Sequence, residues 1–400
     1  MPESAALLQD EAAVAWDPLV QLDDPYPVYR RLRDQAPVYH NPERDMWALS
    51  RFDDVHAAGR DWETFSSSAG GTGNDADDTY QIFLPAGDVA AADPPLHTRL
   101  RGALRLAFSP SQIRLRFEDA ARTRAISLLN EFADARAADF ARDFARPLPA
   151  HVMFTWFGFP DDDHPQLLEW FSGMLNRTIG QRALPASTIA ARDRMRAYVE
   201  AAAAERRVSP REDLLGFVVE AQKRGELTPD EVIGSSMLLF IAGIVTTSGL
   251  ISNSLLHLVR FPEQRALLRS EPERFPAAIE ELLRFDAPIQ SLIRTTTREV
   301  EIDGTTIPSG AYVNLIWASA NRDERRWSDP DRLDIAREPV RHVAFGEGIH
   351  HCLGAPLARL EGRIALEELL KRIPEYAVAG DIVRVRTPTD RALERLPVEF

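Results

Sequence analysis

The sequence predicts a mainly α-helical protein with small β-sheets. Helical spacing of apolar residues recurs from about Leu96 to Phe261, interrupted by short breaks. Short β-like runs separated by turn residues are concentrated near the C-terminus, at 298–302, 305–307 and 312–317. Apolar residues make up 44% of the chain and charged residues 27%, the profile of a folded, water-soluble protein. With neither repeat nor low-complexity linker, residues 1–400 are expected to form a single domain.

Charge and cysteine content narrow the function classes. The chain of 400 residues has a net charge of −14, which argues against a nucleic-acid partner. A single cysteine excludes an intrachain disulfide and a cysteine-rich zinc site. The N-terminus has no basic segment before its short apolar run, so the prediction is a cytoplasmic protein without an export signal.

The longest charge-free stretch lies between Glu231 and Arg260. It is long enough to span a bilayer but is interrupted by serine, threonine, asparagine and histidine. Thr228 as cap, Pro229 at the first position and Glu231 at the third predict a helix start. Pro262 marks the end of a buried helix about 45 Å long, and no membrane association is expected.

The other elements follow in order. A helix is predicted at 25–33, and a strand followed by a helix at 47–55. Residues 66–78 are rich in Ser, Gly and Asp and predict a loop, and Pro185 places a connection at 182–187. After the long helix, further helices are predicted at 276–285 and from about Ala355 to Ile373.

The only cysteine lies in a glycine-rich segment, 345–354 (FGEGIHHCLG). Its glycines allow a sharp turn and close approach to a flat ligand. Because a helix pattern begins just afterwards, Cys352 is expected near a helix N-terminus, where the thiolate is favoured over the thiol. The segment does not have the G-x-nucleophile-x-G frame of a cysteine hydrolase, since position 350 is His. A zinc site is also disfavoured, because the adjacent residues His350, His351 and Cys352 cannot easily converge on one ion. The third interpretation is a haem-thiolate site with Cys352 as the ligand.

The segment F-G-x-G-x-H-x-C-x-G resembles the haem-binding signature of the cytochrome P450 family at every specified position. The resemblance extends from about Asp24 to Phe400. It implies that haem b lies between a long central helix and the cysteine loop, and that Cys352 binds the iron. It also implies that O₂ is the co-substrate. It also implies a soluble bacterial monooxygenase that hydroxylates or O-demethylates a small to medium substrate.

Further segments strengthen the resemblance. Glu281 and Arg284 match the E-x-x-R motif, a scaffold pair beneath the cysteine loop, and 319–330 resembles the meander before it. The resemblance implies that a set of cationic side chains binds the haem propionates: His97, Arg101, Arg294 and His350. It places four further residues against the haem: Phe345, Gly346, Gly354 and Ala242.

Residues 242–247 (AGIVTT) resemble the family's A-G-x-[D/E]-T-[T/S] motif in the long helix. The resemblance implies that Gly243 leaves room for oxygen, and that Thr246, with Thr247 beside it, donates hydrogen bonds there. Val245 replaces the usual acid, and valine cannot relay protons. Three explanations stay open: protons arrive through water, the protein uses peroxide, or it is a non-oxygenating haem protein with a reductive, isomerising or ligand-binding role.

The resemblance also predicts the pocket and the electron donor. The predicted pocket residues are apolar and indicate an apolar or aromatic small molecule: Leu238, Leu239, Ile241, Ile289 and Leu292. Arginines without an intervening acid predict docking of an acidic ferredoxin, itself reduced by an NAD(P)H-dependent reductase. They are Arg99, Arg101, Arg105, Arg114 and Arg116, together with Arg359.

Overall fold

The computed structural model describes residues 15–17, 23–68, 86–176, 184–338, 341–385, 387 and 389–400. The predicted fold class is confirmed, since helices dominate and the sheets are small. The longer helices are Tyr26–Gln35, Phe52–Arg60, Leu96–Leu104, Pro110–Phe132, Pro147–Trp156, His164–Met174, Ala186–Val208, Leu214–Lys223, Pro229–Arg260, Pro262–Ser270, Phe275–Phe285 and Ala355–Arg372.

Within the described residues the strands form four small sheets. They are β1 (Val38–Asn41), β2 (Met46–Leu49), β3 (Phe65–Ser66), β4 (Ala137–Asp139), β5 (Leu292–Thr296), β6 (Val300–Ile302), β7 (Thr305–Ile307), β8 (Tyr312–Leu315), β9 (Ala377–Val378), β10 (Val383–Arg384), β11 (Leu393–Arg395) and β12 (Pro397–Glu399). The largest sheet has the order β1-β2-β8-β5-β3, and only its β2–β8 pair is parallel. The others are β4-β12-β9, β10-β11 and the hairpin β6-β7.

The predicted elements are found within a few residues of their expected bounds. The predicted strand at 312–317 is shorter, because Trp317 begins the short helix Trp317–Ala320. The helical region is also interrupted by β4 and by a wide helical turn at Phe140–Ala145. Residues 69–78 of the predicted loop and 182–183 of the predicted connection lie outside the described residues.

Pro229–Arg260, hereafter the central helix, begins with the predicted capping box. The Thr228 side chain accepts a hydrogen bond from the Glu231 backbone N–H, and the Glu231 carboxylate accepts one from the Thr228 N–H. Arg99 adds a paired contact to the same carboxylate, at 2.7 and 2.8 Å. Among the described residues this helix alone is long and apolar enough to cross a membrane, but 78% of its most apolar window is buried in protein. It is therefore a core helix.

Segment 86–88 crosses the central helix at Gly234. A Cβ built on Gly234 would lie 1.6 Å from the Ala86 carbonyl oxygen, so only glycine fits. The Ser235 hydroxyl donates to the Gly87 carbonyl oxygen at 2.9 Å and holds the crossing in place. This contact fixes the chain where it reaches the helix Leu96–Leu104.

Gly234→Ala is expected to destabilise the protein by about 1–3 kcal/mol, because the new methyl group must displace backbone. Gly102→Ala is the matched control, since a Cβ there meets nothing within 4 Å. That variant should be stabilised by up to about 1 kcal/mol through helix propensity. Chemical unfolding of both variants checks the prediction, and equal behaviour of the two would contradict it.

Candidate functional site

The central helix is buried along most of its length, except at one turn. From Glu231 to Leu258 every residue is buried except Ala242, Gly243, Val245 and Thr246. Three of these, at positions i, i+3 and i+4, lie on one helix face. Ala242 is exposed although the turns on either side are enclosed by protein. The helix therefore borders an internal space at the turn where the sequence predicted oxygen chemistry.

The helix that follows the cysteine loop packs against the central helix near that turn. Gly362, in the helix Ala355–Arg372 that follows the loop, contacts Leu250, one helical turn beyond Thr246. Gly346 and Gly348 have φ of +69° and +67°, which favours glycine. A Cβ on Gly348 would also lie 2.7 Å from the Gly59 carbonyl oxygen. These constraints explain why the loop needs glycine at both positions.

Cys352 lies just before a helix N-terminus, as predicted, but its acidity differs from the prediction. Its side chain is accessible, yet protein surrounds it, as expected beside an internal space. Burial raises the pKa of the Cys352 thiol, and the nearby N–H groups of Gly354 and Ala355 only partly oppose this. The expectation that the helix N-terminus alone favours thiolate was wrong, because desolvation outweighs it. A bound metal ion would deprotonate the thiol.

Four cationic or basic side chains gather beside the loop. The His97 and His350 rings lie 4.6 Å apart, centre to centre. Burial, together with the charges of Arg294, His97 and Arg101, lowers the pKa of His350 to about 3. Arg294 is buried and donates to the Ile293 carbonyl at 3.0 Å. The chain thus places excess positive charge around buried imidazoles.

This donor set fits a ligand with two carboxylates. Nε2 of His97 and Nε2 of His350 are buried without a hydrogen-bond partner in the protein. Such atoms cost free energy unless a ligand or water satisfies them. Propionate groups supply acceptors and negative charge together. The residues present therefore fit haem, with a sulfur ligand available from Cys352.

The predicted scaffold pair is buried and tightly bonded. Arg284 donates to both carboxylate oxygens of Glu281, at 2.7 and 2.8 Å. It also donates to the carbonyl oxygens of Asn321 and Pro330, at 3.0 and 2.9 Å. The pair therefore joins the helix Phe275–Phe285 to the segment 319–330, as the motif predicts.

Two side-chain contacts of this network escaped the sequence prediction, although Asn321 lies in the predicted segment 319–330. The side-chain oxygen of Asn321 accepts from the Val343 N–H at 2.8 Å, linking the scaffold to the cysteine loop. Arg337 donates to Glu281 at 3.2 Å. Neither residue belongs to a compact motif, and only chain folding brings them together.

The oxygen-side residues differ in what they contact. The Thr246 hydroxyl donates to the Ala242 carbonyl oxygen at 2.7 Å, Val245 is half-buried, and Thr247 is buried. A Cβ on Gly243 would lie 2.9 Å from the Met153 sulfur. The absent side chain at 243 therefore allows close packing against the helix Pro147–Trp156. That Gly243 also leaves room for oxygen stays a prediction.

The predicted pocket residues fall into two groups. Leu238, Leu239 and Ile241 are buried in the main core, 6–8% exposed. Ile289 and Leu292 are half-buried. Pro288 contacts the central helix at Gly249. The segment that carries Ile289 and Leu292 therefore lies near the exposed turn.

The predicted basic surface is smaller than expected. Arg99 is bound to Glu231, and Arg101 donates inward to the His351 carbonyl oxygen at 2.7 Å. Arg359 donates to both oxygens of Glu280, at 2.7 and 2.9 Å. Four of the six arginines are exposed, Arg99, Arg105, Arg114 and Arg116, and of these Arg99 pairs with Glu231.

Comparison with known proteins agrees with this site. The family model described as "Cytochrome P450" matches residues 38–373. The chain belongs to the cytochrome P450 family. Cytochrome P450 130 of Mycobacterium tuberculosis is 36% identical over 371 residues, covering 89% of this chain and 90% of that protein.

Solved P450 structures share the fold. Cytochrome P450 PksS of Bacillus subtilis 168 superposes with a TM-score of 0.88 at 32% identity, covering 96% of this chain and 99% of that one. CYP109E1 of Bacillus megaterium, solved with testosterone, gives 0.84 at 30% identity, covering 94% and 97%. This P450 is accordingly a monooxygenase with haem b as cofactor and O₂ as co-substrate, acting on a small molecule with electrons from redox partners.

Proposed function

We propose that this P450 is a cytoplasmic, single-domain enzyme that hydroxylates or O-demethylates a neutral apolar or aromatic substrate. The observation that carries the proposal is the pairing of two surfaces. One is the accessible Cys352 beside a carboxylate-binding cluster. The other is the exposed turn of a buried helix, at Ala242 and Thr246.

Each residue has a proposed task at this site. Cys352 would bind the haem iron through sulfur, and the propionates would be held by His97, Arg101, Arg294 and His350. Haem supplies the activation of O₂, which amino-acid side chains cannot perform. Phe345, Gly346 and Gly354 shape the loop around the sulfur, and Glu281 with Arg284 supports it from beneath.

The substrate class follows from the residues around the exposed turn. Within the described residues, the central helix offers no charged side chain between Glu231 and Arg260. Leu238, Leu239, Ile241, Ile289 and Leu292 provide apolar surface on or near it. A charged substrate would leave its ionic group unpaired there. The testosterone held by CYP109E1, a neutral apolar molecule, supports the same class.

Proton supply is the unusual feature of the proposed reaction. The hydroxyl proton of Thr246 is committed to the Ala242 carbonyl oxygen. Val245 offers no proton, and Thr247 is buried. Protons are therefore proposed to reach the site through water. The same absence favours a second candidate function, use of peroxide, because peroxide brings its own protons.

A substrate screen tests the proposal. Purified holoenzyme is titrated with neutral apolar, aromatic and carboxylate compounds while the haem spin state is followed. Hits are then turned over with ferredoxin, reductase, NADH and O₂, or with peroxide alone. Hydroxylated or demethylated product with O₂ supports the first candidate, and product with peroxide only supports the second. Preferential binding of carboxylates would contradict the proposed substrate class.

We propose that the electron donor is an acidic ferredoxin that docks behind the cysteine loop. Arg101 joins the helix Leu96–Leu104 to His351, next to Cys352. Arg105 lies one turn further along, and Arg114 and Arg116 are exposed nearby in sequence. Leu106 and Leu115 are 64% and 80% exposed among these arginines. Basic groups around exposed leucines suit a transient acidic partner.

Charge reversal tests the docking proposal. Arg105→Glu with Arg114→Glu is expected to raise the KM for ferredoxin on the order of tenfold at low salt, because electrostatic steering is lost. The effect should shrink as salt rises. Arg196→Glu, on the distant helix Ala186–Val208, is the control and should leave KM unchanged. Equal KM values for ferredoxin in the double variant and in Arg196→Glu would contradict the proposed docking site.

A further inference from the structure

His151, Asp161 and His164 form a cluster outside the haem site. His151 lies in the helix Pro147–Trp156, Asp161 in the short turn Asp161–Asp163, and His164 begins the helix His164–Met174. One ligand atom from each lies within 4.8 Å of the others. Chain reversal between the two helices therefore brings two imidazoles and a carboxylate together.

The hydrogen bonds of His164 orient its ring for coordination. Its Nε2 lies 3.2 Å from the Phe159 carbonyl oxygen, which can only accept, so Nε2 carries the proton. Nδ1 is then left with a lone pair, directed at Nδ1 of His151, 3.0 Å away. A metal-binding histidine commonly donates its other N–H to a carbonyl in this way.

The spacing also suits a metal ion. Two nitrogens on a tetrahedral zinc ion, each about 2.0–2.1 Å from it, lie about 3.3 Å apart. The observed 3.0 Å requires only a small adjustment. The Asp161 side chain is 82% exposed, and its carboxylate lies 3.7 Å from Nε2 of His164. To join the two Nδ1 atoms on one ion, this exposed carboxylate must rotate about its side-chain bonds. The open side of the cluster admits the ion from solvent.

Charges around the cluster are mixed. Arg124 lies near both rings and opposes a cation. Asp161 and Asp163 bring negative charge to the same turn. The carboxylates offset the arginine.

We propose that His151, His164 and Asp161 bind a divalent transition-metal ion, of which zinc is the representative, and clip the turn between the two helices. Two imidazoles and one carboxylate favour Zn²⁺, Ni²⁺ or Cu²⁺ over Mg²⁺ or Ca²⁺. Water would complete the coordination. The alternative is a simple hydrogen bond between two neutral histidines.

Calorimetric titration of chelator-washed holoenzyme with ZnCl₂ tests the site. Wild-type protein is expected to bind one equivalent that raises the thermal midpoint. Asp161→Asn and His151→Gln should each weaken this binding by at least about tenfold. Asp161 is exposed, so its variant retains the fold. His40→Gln is the control, since His40 forms an ordinary exposed pair with Asp45 at 3.3 Å.

Three outcomes would overturn the proposal. They are no zinc uptake by wild-type protein, equal affinity in the cluster variants, or loss of binding in the His40 control alone. Any of these would leave the two histidines as a hydrogen-bonded pair. Because haem content and spectrum are recorded separately, failure of this site is distinguishable from failure of the haem site.

Discussion

Arg284→Met is expected to destabilise the holoenzyme by about 3–5 kcal/mol and to reduce its haem content. The substitution keeps much of the side-chain volume but removes the charge that pairs with Glu281, itself 5% exposed. The carbonyl oxygens of Asn321 and Pro330 also lose their donor. A buried carboxylate and two carbonyls would then lack hydrogen bonds that water cannot replace. Chemical unfolding and haem-to-protein ratio measure the two effects.

Arg274→Met is the matched control. Arg274 pairs with Glu271 at the same i, i+3 spacing, but their side chains are 37% and 39% exposed. Exposed pairs contribute at most about 1 kcal/mol, so this variant should retain its haem and nearly all its stability. Similar losses of stability and haem in both variants would contradict this account. They would show that burial and the hydrogen bonds to segment 319–330 make the Glu281–Arg284 pair no more important than an exposed pair.

Val245→Asp is expected to accelerate NADH-driven turnover by about tenfold or more and to raise the fraction of electrons recovered in product. General acid groups typically contribute at least this much. Val245 is half-buried beside Thr246, whose own proton is bonded to the Ala242 carbonyl oxygen. A carboxylate there can pass protons from water to the site. Product formation and NADH consumption, measured together, give rate and coupling.

Val245→Asn separates proton relay from polarity. Asparagine has nearly the size and hydrogen-bonding capacity of aspartate but does not titrate. It should therefore leave turnover close to the wild-type rate, and peroxide-driven turnover should respond little to either variant. An unchanged rate and coupling in Val245→Asp would contradict a proton-limited reaction. Equal acceleration by asparagine would attribute the gain to polarity.

The sequence predicted the parts of the fold that depend on local rules. The capping box at Thr228 and Glu231, the charge-free central helix and the hairpin around Asp303-Gly304 are all set by neighbouring residues. The glycine loop around Cys352 is local in its backbone, because the positive φ angles at Gly346 and Gly348 favour glycine. Such features are readable without knowing what packs against them.

Features that depend on distant partners were mispredicted or missed. The ion pairs of Arg99 with Glu231 and of Arg359 with Glu280 were not foreseen. Desolvation affects the pKa of the Cys352 thiol more than the helix N-terminus does. Gly243 packs on Met153, a residue of another helix. In each case the deciding neighbour lies far away in the chain, where spacing carries no information.

The reduced carbon-monoxide spectrum tests the central claim, sulfur ligation by Cys352, most directly. Haem-loaded wild-type protein is expected to show the spectrum of thiolate-ligated haem, and Cys352→His should convert it to that of nitrogen-ligated haem. A wild-type spectrum of nitrogen ligation, or a thiolate spectrum that persists in Cys352→His, would contradict the account.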